Sequence, residues 1–171
     1  MRKLPIVGLF FANSEDQKLF NLEVEGVNVD AVFDRLETRD ICRCSLIFGT
    51  TADRLISKLQ FMGERMVIFH YGGHANSYQL LLENIDQSKS PAHKEGLIAF
   101  LGRQRGLELV FLNGCSTGGQ VEKLMDLGVS AVIATSVAIN DTKATEFAEH
   151  FYRSLANKNT IQAAFNYAST Y

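Results

Sequence analysis

The 171-residue chain has no tryptophan, only two prolines and three cysteines, and its formal charge at neutral pH is −2. Each shortage excludes something. Basic residues are scattered, apart from small groups such as Arg103 with Arg105, so no face is set up for nucleic acid or an anionic membrane. No apolar run reaches about 18 residues, so a membrane span is not expected. The opening apolar stretch, Leu4 to Ala12, briefly imitates a signal peptide. It leads into Asn13-Ser14-Glu15-Asp16 with no small-residue cleavage pattern and reads as a first strand. The odd cysteine count does not make a disulfide framework. Cys42 and Cys44 lie one residue apart, and on a strand that spacing sends both side chains to one face, a poor geometry for bridging. Reduced thiols in a cytoplasmic protein are the simplest account. Cys-x-Cys and His70-x-x-x-His74 are not an established metal-ligand set, and Gly72-Gly73 argues against a helix between the histidines. Neither a metal nor a cofactor is expected.

What is present suits one domain over residues 1–171 with a real core, since 46% of the residues are hydrophobic and no repeat, linker or low-complexity stretch interrupts them. Apolar, β-rich runs alternate with helical spacing. Strands are predicted over Leu4–Ala12, Ile41–Phe48, Met66–Phe69, Leu107–Leu112 and Val129–Thr135, with Tyr78–Leu82 as a hairpin strand and Glu83–Pro91 as a polar loop open to flexing or cleavage. Helices are predicted from a start after Ser14-Glu15-Asp16 through Leu36, after Thr50-Thr51-Ala52-Asp53, over His93–Arg103, Gly119–Leu127 and Thr142–Leu155, and after Thr160. This rhythm implies an α/β layered domain with a mainly parallel sheet. The chain stops soon after its last helix candidate with no closing strand, which makes it a candidate piece of a longer protein.

Two of the strands end in chemistry. Met66-Val67-Ile68-Phe69 runs into His70-Tyr71-Gly72-Gly73-His74, and Leu107 to Leu112 into Asn113-Gly114-Cys115-Ser116-Thr117-Gly118-Gly119. Parallel neighbouring strands would carry His74 and Cys115 to the same sheet edge, where a thiol and an imidazole make a nucleophile and a proton shuttle. A thiol attacks as thiolate, and a helix start just beyond Cys115 would favour that form. The Cys115 N–H is placed to meet an oxyanion. The plainer alternative is a buried small Cys115 and a turn residue at His74. His70, ending the apolar run, reads as an interior residue with its nitrogens satisfied by neighbours. Asn113 orients a side chain near the site or simply ends a strand. The Gly114–Gly119 segment also suits an anion at a helix start, without the lysine of a P-loop. Asn140-Asp141 opens a helix at the same edge, where an acid is an ordinary cap.

At these residues the sequence resembles the CHAT domain family, caspase-like proteins related to separases, metacaspases and gingipains. The likeness covers nearly the whole chain: Gly8-Leu9-Phe10-Phe11-Ala12-Asn13, Val67 to His74, Leu109 to Thr117, and Gly128 to Thr135 followed by Asp141, Phe147, Phe151 and Tyr152 resemble four family segments in order. The resemblance implies a caspase-like three-layer sandwich and a cysteine endopeptidase. By it, His74 is the catalytic histidine and Cys115 the nucleophile, with backbone N–H groups of Cys115 and Ala75 holding the oxyanion. Relatives commonly cut after Arg or Lys, and Asp141 matches the position of an acid in the separase-like members, which makes it the specificity candidate beside Asn113. The implied partners are a protein or peptide substrate and a regulatory sensor module or partner protein, in roles such as bacterial defence. Two departures stand out: Ala75 where the pattern usually has glycine, which would tighten the cleft or disfavour a positive φ, and the missing closing strand. Two rival readings stay open, a catalytically inactive interaction domain of the same fold and a flavodoxin-like domain binding a small anion.

Overall fold

The computed structural model describes residues 3–13, 18–75, 79–83, 89–115, 117–136 and 140–171. Its centre is a five-stranded, wholly parallel sheet in the order β2-β1-β3-β6-β7, formed by β1 (Ile6–Ala12), β2 (Arg43–Ile47), β3 (Met66–Gly73), β6 (Leu109–Asn113) and β7 (Ala131–Ala134). A separate antiparallel hairpin, β4 (Gln79–Glu83) with β5 (Lys89–His93), lies between β3 and β6 in sequence. The predicted parallel α/β architecture is therefore the observed one. Part of the expected polar loop is strand: Lys89–His93 pairs with Gln79–Glu83, while residues 84–88, like the predicted helix start at 14–16, lie outside the described residues.

The inner strands β1, β3 and β6 are buried on both faces, which is why they read as continuous apolar runs rather than as alternation. One face packs Phe10, Phe69, Tyr71, Val110 and Leu112 against α2 (Ala52–Met62), α3 (Lys94–Leu101) and α4 (Val121–Asp126). The other packs Leu9, Phe11, Ile68 and Phe111 against α1 (Leu22–Thr38), α5 (Asp141–Ala156) and α6 (Ile161–Ala168). Each of these large side chains contributes about 1.5–3 kcal/mol by leaving water. A register shift opposite Ile6 and Val7 leaves Val67 as an extra residue in β3. Beyond it, Phe69 and Tyr71 fall on the α2–α4 side and His70 on the α1–α5 side.

The helix starts follow their sequence signals. Thr51 accepts the Arg54 N–H at 3.2 Å, Thr160 accepts the Ala163 N–H at 3.2 Å, and Asn140 accepts the Thr142 N–H at 2.9 Å. Cys42, just before β2, and Cys44, within it, are free thiols packed with the same core cluster, as their spacing predicts. Burial, helped by the charge of Glu37, pushes the Cys42 thiol up; burial and a hydrogen bond with Asp30 push Cys44 up further. No helix among the described residues is long and apolar enough to cross a membrane.

Candidate functional site

β3 and β6 are hydrogen-bonded neighbours, with Gly72 opposite Asn113 as their last pair. The two motif ends therefore emerge side by side at the carboxyl edge of the sheet, where open α/β sheets place their ligands. Their contact is close. A methyl group on Gly114 would sit 2.7 Å from the Gly73 carbonyl oxygen and 2.9 Å from the Ala75 Cβ, so only glycine lets the loops meet here. A methyl on Gly73 would lie 2.6 Å from the Ala12 carbonyl oxygen, which packs the same edge against β1.

His74, the first residue beyond β3, is half-buried, and its carbonyl accepts the Tyr71 hydroxyl at 2.8 Å. That bond anchors the backbone carrying the imidazole to a fully buried ring. Cys115 is half-buried in the turn after β6. Ala75 is half-buried and forms an isolated bridge with Leu80 of the hairpin. Its backbone is ordinary: among the described residues, only Asp40 and Lys158 have positive φ without being glycine. The alanine therefore meets no left-handed strain, and the effect of its methyl is to fill space over Gly114.

Beneath this edge lies a buried polar network whose hub, Glu25, the sequence did not announce. His70 is fully buried; its Nε2 lies 2.9 Å from Glu25 Oε1 and its Nδ1 3.1 Å from the Tyr152 hydroxyl. Asn113 donates its Nδ2–H to the same Glu25 oxygen at 2.8 Å and to the Ala144 carbonyl at 3.3 Å. With Nε2–H donating to Oε1, Nδ1 can accept the Tyr152 hydroxyl. Burial, and then the charge of Glu25, holds that phenol well above its usual range, so its proton is present to give. Phe11 and Phe111 close around the imidazole, with ring centroids 5.4 and 4.8 Å away. His70 is thus an interior residue satisfied by its neighbours, as its position predicts. Asn113 has its amide nitrogen committed inward, to the helix layer.

Asp141 is the first residue of α5, and its Oδ2 accepts the Asn21 N–H at 3.0 Å, tying the starts of α5 and α1 together at the carboxyl edge. One strand away from His74, a concavity of about 420 Å³ opens at the ends of β1 and β2. It is lined in part by Glu23 and Glu83, with Lys18 as the cation among its lining residues. Glu83 also accepts the Asn13 N–H at 2.6 Å. A larger groove of about 540 Å³ lies between α1 and α5, lined by their carboxyl-terminal halves, at the opposite end of the sheet from Cys115.

The family model for the CHAT domain matches residues 7–170, and the chain belongs to that family. The family is caspase-like and peptidase-related, in keeping with the three-layer α/β sandwich. No curated protein matches the chain significantly.

Proposed function

We propose that the chain is a cysteine peptidase domain in which Cys115 is the nucleophile and His74 its proton shuttle. The observation that carries this reading is the contact of the two motif ends, Gly114 against Gly73 and Ala75, at the carboxyl edge of adjacent parallel strands. In the reaction, the Cys115 thiol gives its proton to the His74 imidazole while Sγ bonds to the scissile carbonyl carbon. The C=O π pair moves onto oxygen, and N–H groups of Cys115 and Ala75 are the proposed donors to it. Collapse re-forms the carbonyl and expels the amine, which takes the proton from His74. Water, deprotonated by His74, then hydrolyses the thioester and regenerates the thiol.

The substrate in this proposal is a protein or peptide with Arg or Lys before the scissile bond. Support comes from the carboxylates at the carboxyl edge: Asp141 at the start of α5, and Glu23 and Glu83 around the neighbouring concavity. Charge-assisted hydrogen bonds from a guanidinium would discriminate against neutral side chains. Asn113 contributes by holding Glu25 under the cleft. The domain would act in the cytoplasm under a sensor module or partner protein that controls access to the site.

Active-site labelling tests the proposal. An arginine-bearing peptide chloromethyl ketone should add once to the purified chain, on Cys115, as read by intact mass. The adduct should vanish in Cys115→Ala, fall sharply in His74→Ala, and be absent with a glutamate-bearing ketone. A folded wild-type chain that takes no adduct would point instead to an inactive interaction domain.

A further inference from the structure

We infer that Thr135 and Thr117 clamp the Gly114 carbonyl and so aim the Cys115 N–H at the site of the oxyanion; this rests on the Cys115–His74 reading above. Thr135 immediately follows β7 and spends all three of its polar groups on the loop that carries Cys115. Its N–H donates to Thr117 Oγ1 at 3.0 Å, its carbonyl accepts the Gly118 N–H at 2.9 Å, and its hydroxyl donates to the Gly114 carbonyl. Thr117 is fully buried, with Oγ1 3.1 Å from the Leu112 carbonyl and 3.2 Å from that of Gly114. A hydroxyl has one proton, so Thr117 cannot give its own to both carbonyls at once; it accepts the Thr135 N–H, and the Thr135 hydroxyl stands 3.3 Å away. Thr135 is the nearer hydroxyl donor to the Gly114 carbonyl, and Thr117 holds Thr135 in place.

The consequence follows from the geometry of a trans peptide, whose C=O and N–H point in opposite directions. The Gly114 oxygen faces Thr135, on the β7 side of β6. The N–H of Cys115, across the same peptide plane, faces the β3 side, where Gly73 and Ala75 stand against Gly114. Among the described residues that N–H has no acceptor. A donor held in advance by two hydroxyls needs no reorganisation when charge develops on the substrate oxygen. Thr135 and Thr117 are positioning residues: neither needs to touch the reacting atoms.

The test uses Thr135→Val, which keeps the shape and removes the hydroxyl, Thr117→Val, and Thr135→Ser, which keeps the hydroxyl. Losing a fixed oxyanion donor altogether costs about 100- to 1,000-fold in kcat, so releasing the clamp should cost about 10- to 100-fold for an arginine peptide amide. KM should change little, and affinity for an arginine peptide aldehyde, whose hemithioacetal oxygen sits in the same place, should fall in parallel. Alkylation of Cys115 by iodoacetamide, a displacement that forms no oxyanion, should keep its rate. Thr135→Ser should restore kcat. Thr135→Ala replaces the valine variant if that one fails to fold. A Thr135→Val chain with wild-type kcat overturns the clamp, and so does one whose alkylation slows as much as its turnover. A folded wild type that neither hydrolyses the peptide nor takes the ketone overturns the peptidase reading, and the clamp with it.

Discussion

Glu25 and His70 meet at 2.9 Å inside the protein, one 1% and the other 0% exposed, four residues before the histidine assigned to the chemistry. Through the same carboxylate oxygen Glu25 also holds Asn113, two residues before Cys115. One side chain of α1 thus grips both strands that end in the site. Removing it would strand two buried donors, and a buried donor left unsatisfied costs about 1–3 kcal/mol. Glu25→Ala should therefore lower the unfolding free energy by about that amount in urea titrations, while Glu23→Ala, exposed and two residues away, should change it by less than about 0.5 kcal/mol. Equal, small effects of the two would remove the network from any account of stability.

Gly114 has no room for a side chain, whereas a methyl on Gly119 would meet nothing within 4 Å. Gly114→Ala should cost about 1–3 kcal/mol by overpacking and push the two motif ends apart. Ketone labelling of Cys115 should be lost in that variant while it still melts cooperatively; Gly119→Ala should label as wild type does. Undiminished labelling of Gly114→Ala would mean that the loops need not touch.

Asp141 accepts the Asn21 N–H and, in the proposed function, also meets the cationic side chain of the substrate. Asparagine at this position keeps an oxygen for the Asn21 N–H but removes the charge. Asp141→Asn should leave the melting temperature nearly unchanged and reduce the preference for arginine over glutamine peptides by about ten- to a hundred-fold, the worth of a charge-assisted hydrogen bond of about 1.5–3 kcal/mol. An unchanged preference would transfer the role to Glu23 or Glu83, whose alanine variants are assayed alongside.

The three cysteines should separate by reactivity. Burial pushes the Cys42 and Cys44 thiols up, so little thiolate is available at either near neutral pH. Limited iodoacetamide treatment followed by peptide mapping should find Cys115 modified first, with all three equal in urea. Early modification of Cys44 in the folded chain would contradict its packing.

The same burial gives stability a sign with pH. Cys42, Cys44 and Tyr152 all have folded-state values raised above their unfolded ones, so the unfolded chain loses these protons first. Their contribution is complete below the ordinary thiol value of about 8.5 and is lost as pH climbs through the thiol and then the phenol range. Melting temperatures should hold up to about pH 8 and decline beyond. Cys44→Ala should flatten part of that decline, and an identical slope would exclude Cys44 as its source.

The strands bearing His74 and Cys115 were readable because strands buried on both faces leave unbroken apolar runs, and the glycines mark where those runs stop. Strand β5 was not. Lys89-Ser90-Pro91-Ala92-His93 has no apolar alternation, and its proline is tolerated because, among the described residues, the strand pairs only with β4. Glu25 looks from the sequence like an ordinary helical acid, and Thr135 like the end of a strand. Their parts in the site come from what the fold sets opposite them, β3 and β6 for one and the cysteine loop for the other. No local spacing encodes that.

Because β3 pairs directly with β6, the chain between them, hairpin and α3 together, is an excursion that departs from one strand and returns to its neighbour. Its hairpin strands are tied to the site through the Ala75–Leu80 bridge and Glu83, but added residues between Glu83 and Lys89 would leave both in place, and doubling a flexible span costs only about 0.6 kcal/mol in closure entropy. Descendants of this sequence could enlarge the detour, or graft a foreign recognition module into it, and inherit the Gly114–Ala75 contact unaltered.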